Sequence, residues 1–205
     1  MRASYRNTVV PQPNITLTMC CSATGEQLKA QVIVHAKTIP QEFKRLNDGL
    51  FITTYYDCGG QTQITFEAQM LDYILPKNSE WRMKNAASER SLLFLDSHAS
   101  RMNKKLNRKA IEFKIDILTF PSHTTHLLQP LDCGIFSTLK QHLRRVFLIP
   151  VRWTALLYRQ SIVNALISAH KAAIQNIIIR NYFKKASIHP VNINARRKYL
   201  GESRR

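Results

Sequence analysis

Two aspartates stand out as residues able to do chemistry together. Asp96 follows the apolar run "SLLFL", and Asp132 lies 36 residues later in "THLLQPLDCGIF". Carboxylates brought to neighbouring strand ends are the hard oxygen ligands that Mg2+ or Mn2+ takes, with water and phosphate oxygens completing the shell. Two such ions about 3.5–4 Å apart stabilise the attacking and leaving oxygens of a phosphodiester displacement. The same two residues also suit a plainer role, because an aspartate after a strand is a common cap or turn former.

The flanking elements decide whether the pair can meet. Residues 91–100 begin as a short unbroken apolar run, the pattern of a buried strand covered on both faces, and end in a polar turn at Asp96. Residues 101–113 place Met102, Leu106, Ala110 and Phe113 on one side of a helix, with Arg101, Lys104, Lys105, Arg108 and Lys109 on the other. "KIDILTFP", 114–121, reads as a second strand. A helix that returns the chain lets the second strand lie beside the first, so that both acids reach one sheet end.

Upstream, 14–24 and 30–36 read as a hairpin around the turn "TGEQ", and 63–76 as a helix ended by Pro76. Downstream, 134–148 is helical with Phe136, Leu139, Leu143 and Phe147 inward. Residues 153–183 form one long helix or two, and 184–205 is a basic tail. The order specifies an α/β fold with buried central strands.

Charge is unevenly spread. Residues 1–100 carry 10 basic and 9 acidic side chains, and residues 101–205 carry 20 and 4, within a total of +17. The second half therefore calls for a polyanionic partner, nucleic acid first. Its cationic surfaces are Arg101, Lys104, Lys105, Arg108 and Lys109 on one helix and Lys140, Arg144 and Arg145 on another. Cys20, Cys21, Cys58 and Cys133 lack zinc-knuckle spacing and read as reduced intracellular thiols. The adjacent Cys20 and Cys21 would leave a strand on opposite faces. No window of about 18 apolar residues exists, and the N-terminus lacks a signal-peptide core, so neither a membrane span nor a leader is expected.

"LLFLDSHAS" followed by "ILTFPSHTTHLLQPLDCGIFSTLK" resembles the DDE superfamily endonuclease domain of pogo-like transposases, the group that includes Tigger and Jerky relatives and centromere protein B. "ITLTMCCSATGEQLKAQVIV" and "NIIIRNYFKKASIHPVN" extend the resemblance over most of the chain. The resemblance implies an RNase H-like mixed sheet flanked by helices, metal-dependent cleavage and strand transfer on DNA, and a nuclear protein. It implies no membrane partner and no small-molecule substrate. Asp96 matches the second metal-binding acid and Asp132 the third. In that frame Pro121 and Pro130 fix the entry and exit of the loop that carries Asp132, and Thr124, Thr125 and Gln129 hold it through side-chain hydrogen bonds. His98, His123, His126 and Gln129 are accessory positions, structural hydrogen bonds coming before phosphate contacts; Arg101 stands where the family often has histidine. A zinc site from His123 and His126 lacks its remaining ligands.

The family's first acid lies upstream of the hairpin, and the first acidic residue here is Glu26. The expectation is a sheet lacking its first central strand, over residues 1–150, followed by a helical basic segment, 151–205. Such a chain should bind Mg2+ or Mn2+ weakly and be inactive by itself. Two alternatives use the basic half without chemistry: a domesticated or relic nucleic-acid-binding module, and a basic RNA-associated protein whose aspartates are only caps.

Overall fold

The computed structural model describes residues 15–47, 49–57, 61–85, 89–96, 104–121, 123–147 and 154–192. Its first sheet has three strands in the order β1 (Ile15–Thr18), β2 (Ala30–His35), β3 (Phe51–Tyr56). β1 runs antiparallel to β2, with Ile15 opposite Val34, and β2 runs parallel to β3, with Ala30 opposite Phe51. A second sheet pairs β4 (Ser91–Leu95) in parallel with β5 (Ile115–Thr119). The architecture is a small mixed sheet flanked by helices.

The β1–β2 turn closes through Ser22 N–H to Glu26 O and Gly25 N–H to Ser22 O. Gly25 sits at φ 93°, in the left-handed region where glycine pays no steric cost, and a side chain there would also meet the Asn176 carbonyl. β3 lies outside the expected elements, as does a single helical turn before it, α1 (Gln41–Lys44). β2 is the most buried strand: Ala30, Val32, Ile33 and Val34 are all 0–1 % exposed. A parallel partner on one side and an antiparallel one on the other leave it central.

The expected helix 63–76 does not stop at Pro76. α2 (Gln63–Gln69), capped by Thr62 and Thr65, passes through a wide π turn at Met70–Ile74 into α3 (Leu75–Lys84). Pro76 then occupies the first turn of α3. A first-turn proline needs no backbone donor, and the wide turn removes the usual demand for one.

β4 is not covered on both faces. Leu93 and Leu95 pack with Ile115 and Ile117 on the α2–α3 layer, whereas Leu92 is 54 % and Leu118 49 % exposed. Among the described residues no buried layer lies over the face that carries Leu92 and Leu118. α4 (Lys104–Glu112) buries Leu106 and Ala110 as its pattern requires; Met102 lies outside the described residues.

Residues 153–183 resolve into two helices, α7 (Ala155–Ala173) and α8 (Asn176–Lys185), bent by 67°. α7 contributes Val163 and Leu166 to one core with β2, β3 and Phe43. Ala169 and Ala173 join another with α8 and α6 (Phe136–Val146). Arg159 of α7 reaches Glu42 of α1 at 3.1 Å. Burial alone would raise the Glu42 carboxyl, but its backbone N–H and the Arg159 guanidinium hold it below the ordinary range. Among the described residues no single helix is long and apolar enough to cross a membrane; α7 and α8 reach that composition only as a bent pair.

Cys20 and Cys21 do face opposite ways. Cys20 packs with the α2–α3 layer and Cys21 with the α6–α8 layer. Burial pushes their thiols up, to about 11 and about 12. That favours the thiol over the thiolate, the reactive form, at neutral pH.

Candidate metal site and nucleic-acid surface

β4 and β5 end together. Phe120 N–H donates to Leu95 O at 3.0 Å, and the Phe94 and Phe120 rings stack with centroids 5.3 Å apart. Asp96 thus leaves the sheet beside the start of the 120–132 segment. That segment is no open loop. Thr124 Oγ donates to Pro121 O at 2.7 Å, His123 takes a left-handed φ of 62°, and a short helix α5 (Thr125–Leu128) follows.

The next turn delivers Asp132. Gln129 O accepts from both Asp132 N–H and Cys133 N–H, at 3.0 and 2.8 Å. Pro130 is buried, with φ −53°, as the first residue of that turn. Gln129 therefore holds the segment through its backbone and not, as its amide suggested, through its side chain, whose Oε1 is buried without a partner. The Cys133 thiol donates back to Leu127 O at 3.1 Å.

A brace the sequence did not announce comes from α8. Tyr182 lies directly on Gly134: a Cβ at Gly134 would fall 1.9 Å from the ring. The Tyr182 hydroxyl pairs with Thr138 Oγ at 3.2 Å, and Lys185 Nζ donates to Cys133 O at 3.2 Å. The readable signal was the glycine immediately after the Asp–Cys pair. What contacts it is a residue 48 positions on, which no local pattern can reveal.

Asp96 and Asp132 line one cavity of about 1150 Å³. Partial burial and the negative charge of Asp96 raise the Asp132 carboxyl, and Lys140 of α6 offsets this in part. Lys140, read from sequence only as a phosphate contact, thus also lends its charge to Asp132. The donor set suits Mg2+ or Mn2+ in kind: two hard oxygens whose mutual repulsion a cation would relieve. In number it is short, since no group of three or more histidine, cysteine or carboxylate side chains gathers among the described residues.

His123 and His126 are exposed on the segment. The His126 carbonyl, not its ring, is engaged, accepting from Cys133 Sγ at 3.5 Å. His98 and Arg101 fall outside the described residues. On α4, Lys105 is paired with Glu67 at 2.7 Å and Lys109 with Glu112 at 2.7 Å. Lys104, Arg108, Arg144 and Arg145 are exposed and, among the described residues, form no ion pair. The cationic face of α4 is thus narrower than its sequence suggested, because neighbouring carboxylates neutralise two of its lysines.

Among known proteins, the MFS-type transporter clz9 of Cochliobolus lunatus is 45 % identical over 56 residues, which is 27 % of this chain and 6 % of that protein. The chain thus spans a small fraction of that curated relative. No solved structure matches it. The family described as DDE superfamily endonuclease matches residues 12–182. With its mixed α/β architecture, the chain belongs to the DDE superfamily endonuclease family.

Proposed function

We propose that this chain is the DNA-handling core of a DDE-type transposase, with Asp96 and Asp132 as two of its metal-binding acids. The observation that carries this reading is that both carboxylates line one cavity, where the charge of Asp96 helps to raise the Asp132 carboxyl. A divalent ion held there, Mg2+ or Mn2+, would supply charge stabilisation for phosphodiester cleavage and strand transfer. The chain's own part is positional. The β4 end fixes Asp96, the Gln129-centred turn aims Asp132, α8 braces that turn through Tyr182 and Lys185, and Lys140 balances the charge.

Lys104, Arg108, Lys140, Arg144 and Arg145 would hold the DNA backbone without reading sequence. Residues 1–150 would carry the chemistry and 151–205 would brace it, and the protein would work in the nucleus. Two carboxylates are too few to hold two ions at a working separation, so these residues alone would leave DNA uncut.

The test is plasmid cleavage in Mg2+ and in Mn2+, beside a chain extended upstream by a related family member's acid-bearing strand. Cleavage only by the extended chain, abolished by Asp132→Asn, is expected. Cleavage by the unextended chain would refute the inactivity, and its persistence in Asp132→Asn would refute the site. DNA affinity that falls with salt at a log–log slope of about −0.9 per phosphate neutralised is expected as well. DNA binding with no cutting by either chain would favour a non-catalytic nucleic-acid module.

A further inference from the structure

β4 has an unusual composition for a strand that must sit in one register. Between Ser91 and Asp96 every residue is apolar: Leu92, Leu93, Phe94 and Leu95. Leu93 and Leu95 pack inward with Ile115 and Ile117, while Leu92 is 54 % exposed. Register is well specified where apolar and polar residues alternate, because a slip of one residue carries the whole set to the other face. Here a slip would exchange Leu93 and Leu95 for Leu92 and Phe94, apolar for apolar. β5 does alternate, with exposed Asp116 between Ile115 and Ile117, so its own facing is fixed. The register of β4 needs another determinant.

Arg82 of α3 lies where β4 and β5 begin. It is 9 % exposed, and among the described residues no carboxylate pairs with it. Its Nη1 donates to Glu89 O at 3.3 Å and to Lys114 O at 2.8 Å, and its Nε is buried without a partner. Glu89 lies two residues before β4, and Lys114 lies immediately before β5, with a left-handed φ of 54°. Lys114 O also accepts from Ser91 N–H at 3.0 Å, the bond that leads into the β4–β5 pairing. One nitrogen thus bridges the approaches to both strands, at the level where Ser91 stands opposite Ile115.

A buried charge is costly to hold, and well-packed apolar side chains of similar volume are often no less stable in its place, so stability alone does not account for Arg82. Selecting one alignment over another does, and it is the best-attested use of such groups. If β4 slid by one residue, the Glu89 carbonyl would move about 3.3 Å, and the buried guanidinium would lose one of its two acceptors. The Arg90–Asp116 pair also crosses the strands. Its side chains are 45 % and 51 % exposed, where an ion pair is worth little and long side chains follow a shift.

We propose that Arg82 is a positioning residue, which sets the register of β4 against β5 and through it the place of Asp96. A slip of one residue would carry Asp96 about 3.3 Å along the strand and turn it to the opposite face, out of its place at the cavity it shares with Asp132. The register stands on α3, β4 and β5 alone. Only its consequence for an ion rests on the proposal that Asp96 and Asp132 hold one.

The experiment is NMR of the isotope-labelled full chain, with register read from backbone NOEs between β4 and β5. The parent should show one set, with Ser91 opposite Ile115 and Leu95 opposite Thr119. Arg82→Met should melt at the parent temperature or above, since Lys114 O keeps the Ser91 N–H and water replaces the guanidinium at exposed Glu89. It should nevertheless show a second set of NOEs shifted by one residue, and lose hydrogen-exchange protection at the Phe120 amide, which donates to Leu95 O. Arg82→Lys, which keeps a buried cation, should restore the single set. So should Arg82→Met combined with Leu92→Thr, because alternation then fixes the facing of β4. A single parent register in Arg82→Met would overturn the proposal. So would loss of the fold in Arg82→Met that Leu92→Thr does not restore, which would make Arg82 a residue of stability alone. Mn2+ added to the parent is a separate arm: it should broaden the Asp96 and Asp132 amides, and broaden Asp96 less in Arg82→Met. No broadening in the parent would remove the metal reading, and the NOEs would still decide the register.

Discussion

The two flanks of β1 contrast sharply. On one side β1 pairs with β2, which is sealed by β3, α1 and α7 around Phe43, Leu46 and Phe51, each 0–2 % exposed. On the other side β1 meets an open cavity, across which β4 carries half-buried leucines. Both sides are built from similar β-branched and apolar residues. What separates them, among the described residues, is the number of strand neighbours. Composition makes a strand, but only a partner on each edge makes it a core, and the acids sit on the side where partners run out.

Truncating one large side chain on each flank gives the most direct break in that contrast. Phe51→Ala should cost about 3–5 kcal/mol in urea unfolding, since it empties a closed site that cannot collapse. Leu93→Ala should cost about 1 kcal/mol, because its surroundings already open onto the cavity. Equal losses would mean that both flanks are packed alike. Next in size is Gly134→Ala, which drives a methyl into the Tyr182 ring and should cost about 1–3 kcal/mol. Adding Tyr182→Ala to that variant should recover part of the loss in thermal melts, and no recovery would remove the brace.

A smaller effect tests the sealed flank by pH. His170 is 2 % exposed, neither ring nitrogen has a partner, and its ring meets Phe51 edge-on at 4.8 Å. Burial holds it below the ordinary imidazole value of 6.5. Below that value the unfolded chain takes up a proton that the folded chain refuses, so stability falls as pH drops, by at most about 1.4 kcal/mol per pH unit. Glu42, with its lowered carboxyl, adds to the loss at still lower pH. Urea midpoints at pH 7.5 and 5.5 should differ less in His170→Leu than in the parent. An unchanged difference would show that His170 is not the proton site.

The smallest effect belongs to the open flank. Mn2+ at a concentration up to a few times its dissociation constant should raise the unfolding free energy by about 1 kcal/mol or less, through mass action on a two-carboxylate site. It should raise that of Asp132→Asn not at all. Equal shifts would place the ion elsewhere.

Much of this was readable in advance. The β1–β2 hairpin, the parallel β4–β5 pair and the amphipathic α4 follow from side-chain period, and the turn "TGEQ" from its glycine. β3 escaped notice because "FITTYY" follows a polar stretch and carries no clean alternation. The exposure of Leu92 was invisible for a different reason. An unbroken apolar run is the mark of a buried strand, and nothing within "SLLFL" reports that its sheet has one neighbour too few. The acids were legible as a pair only through the phrase around Asp132. The neutralisation of Lys105 by Glu67, 38 residues earlier, and the Tyr182 brace are long-range contacts that no local spacing encodes.

The wide turn at Met70–Ile74 is, in counting terms, one surplus residue spliced into a helix. Each residue turns a helix by about 100°. α3 is therefore set about 100° out of phase with the bearing that an uninterrupted α2 would give it. Asn78 and Trp81 line the cavity on that bearing. Deleting one of residues 71–73 would swing both away from the cavity while removing no residue that lines it. The aim of the whole wall hangs on a one-codon insertion, and an insertion of that kind is gained or lost in one step.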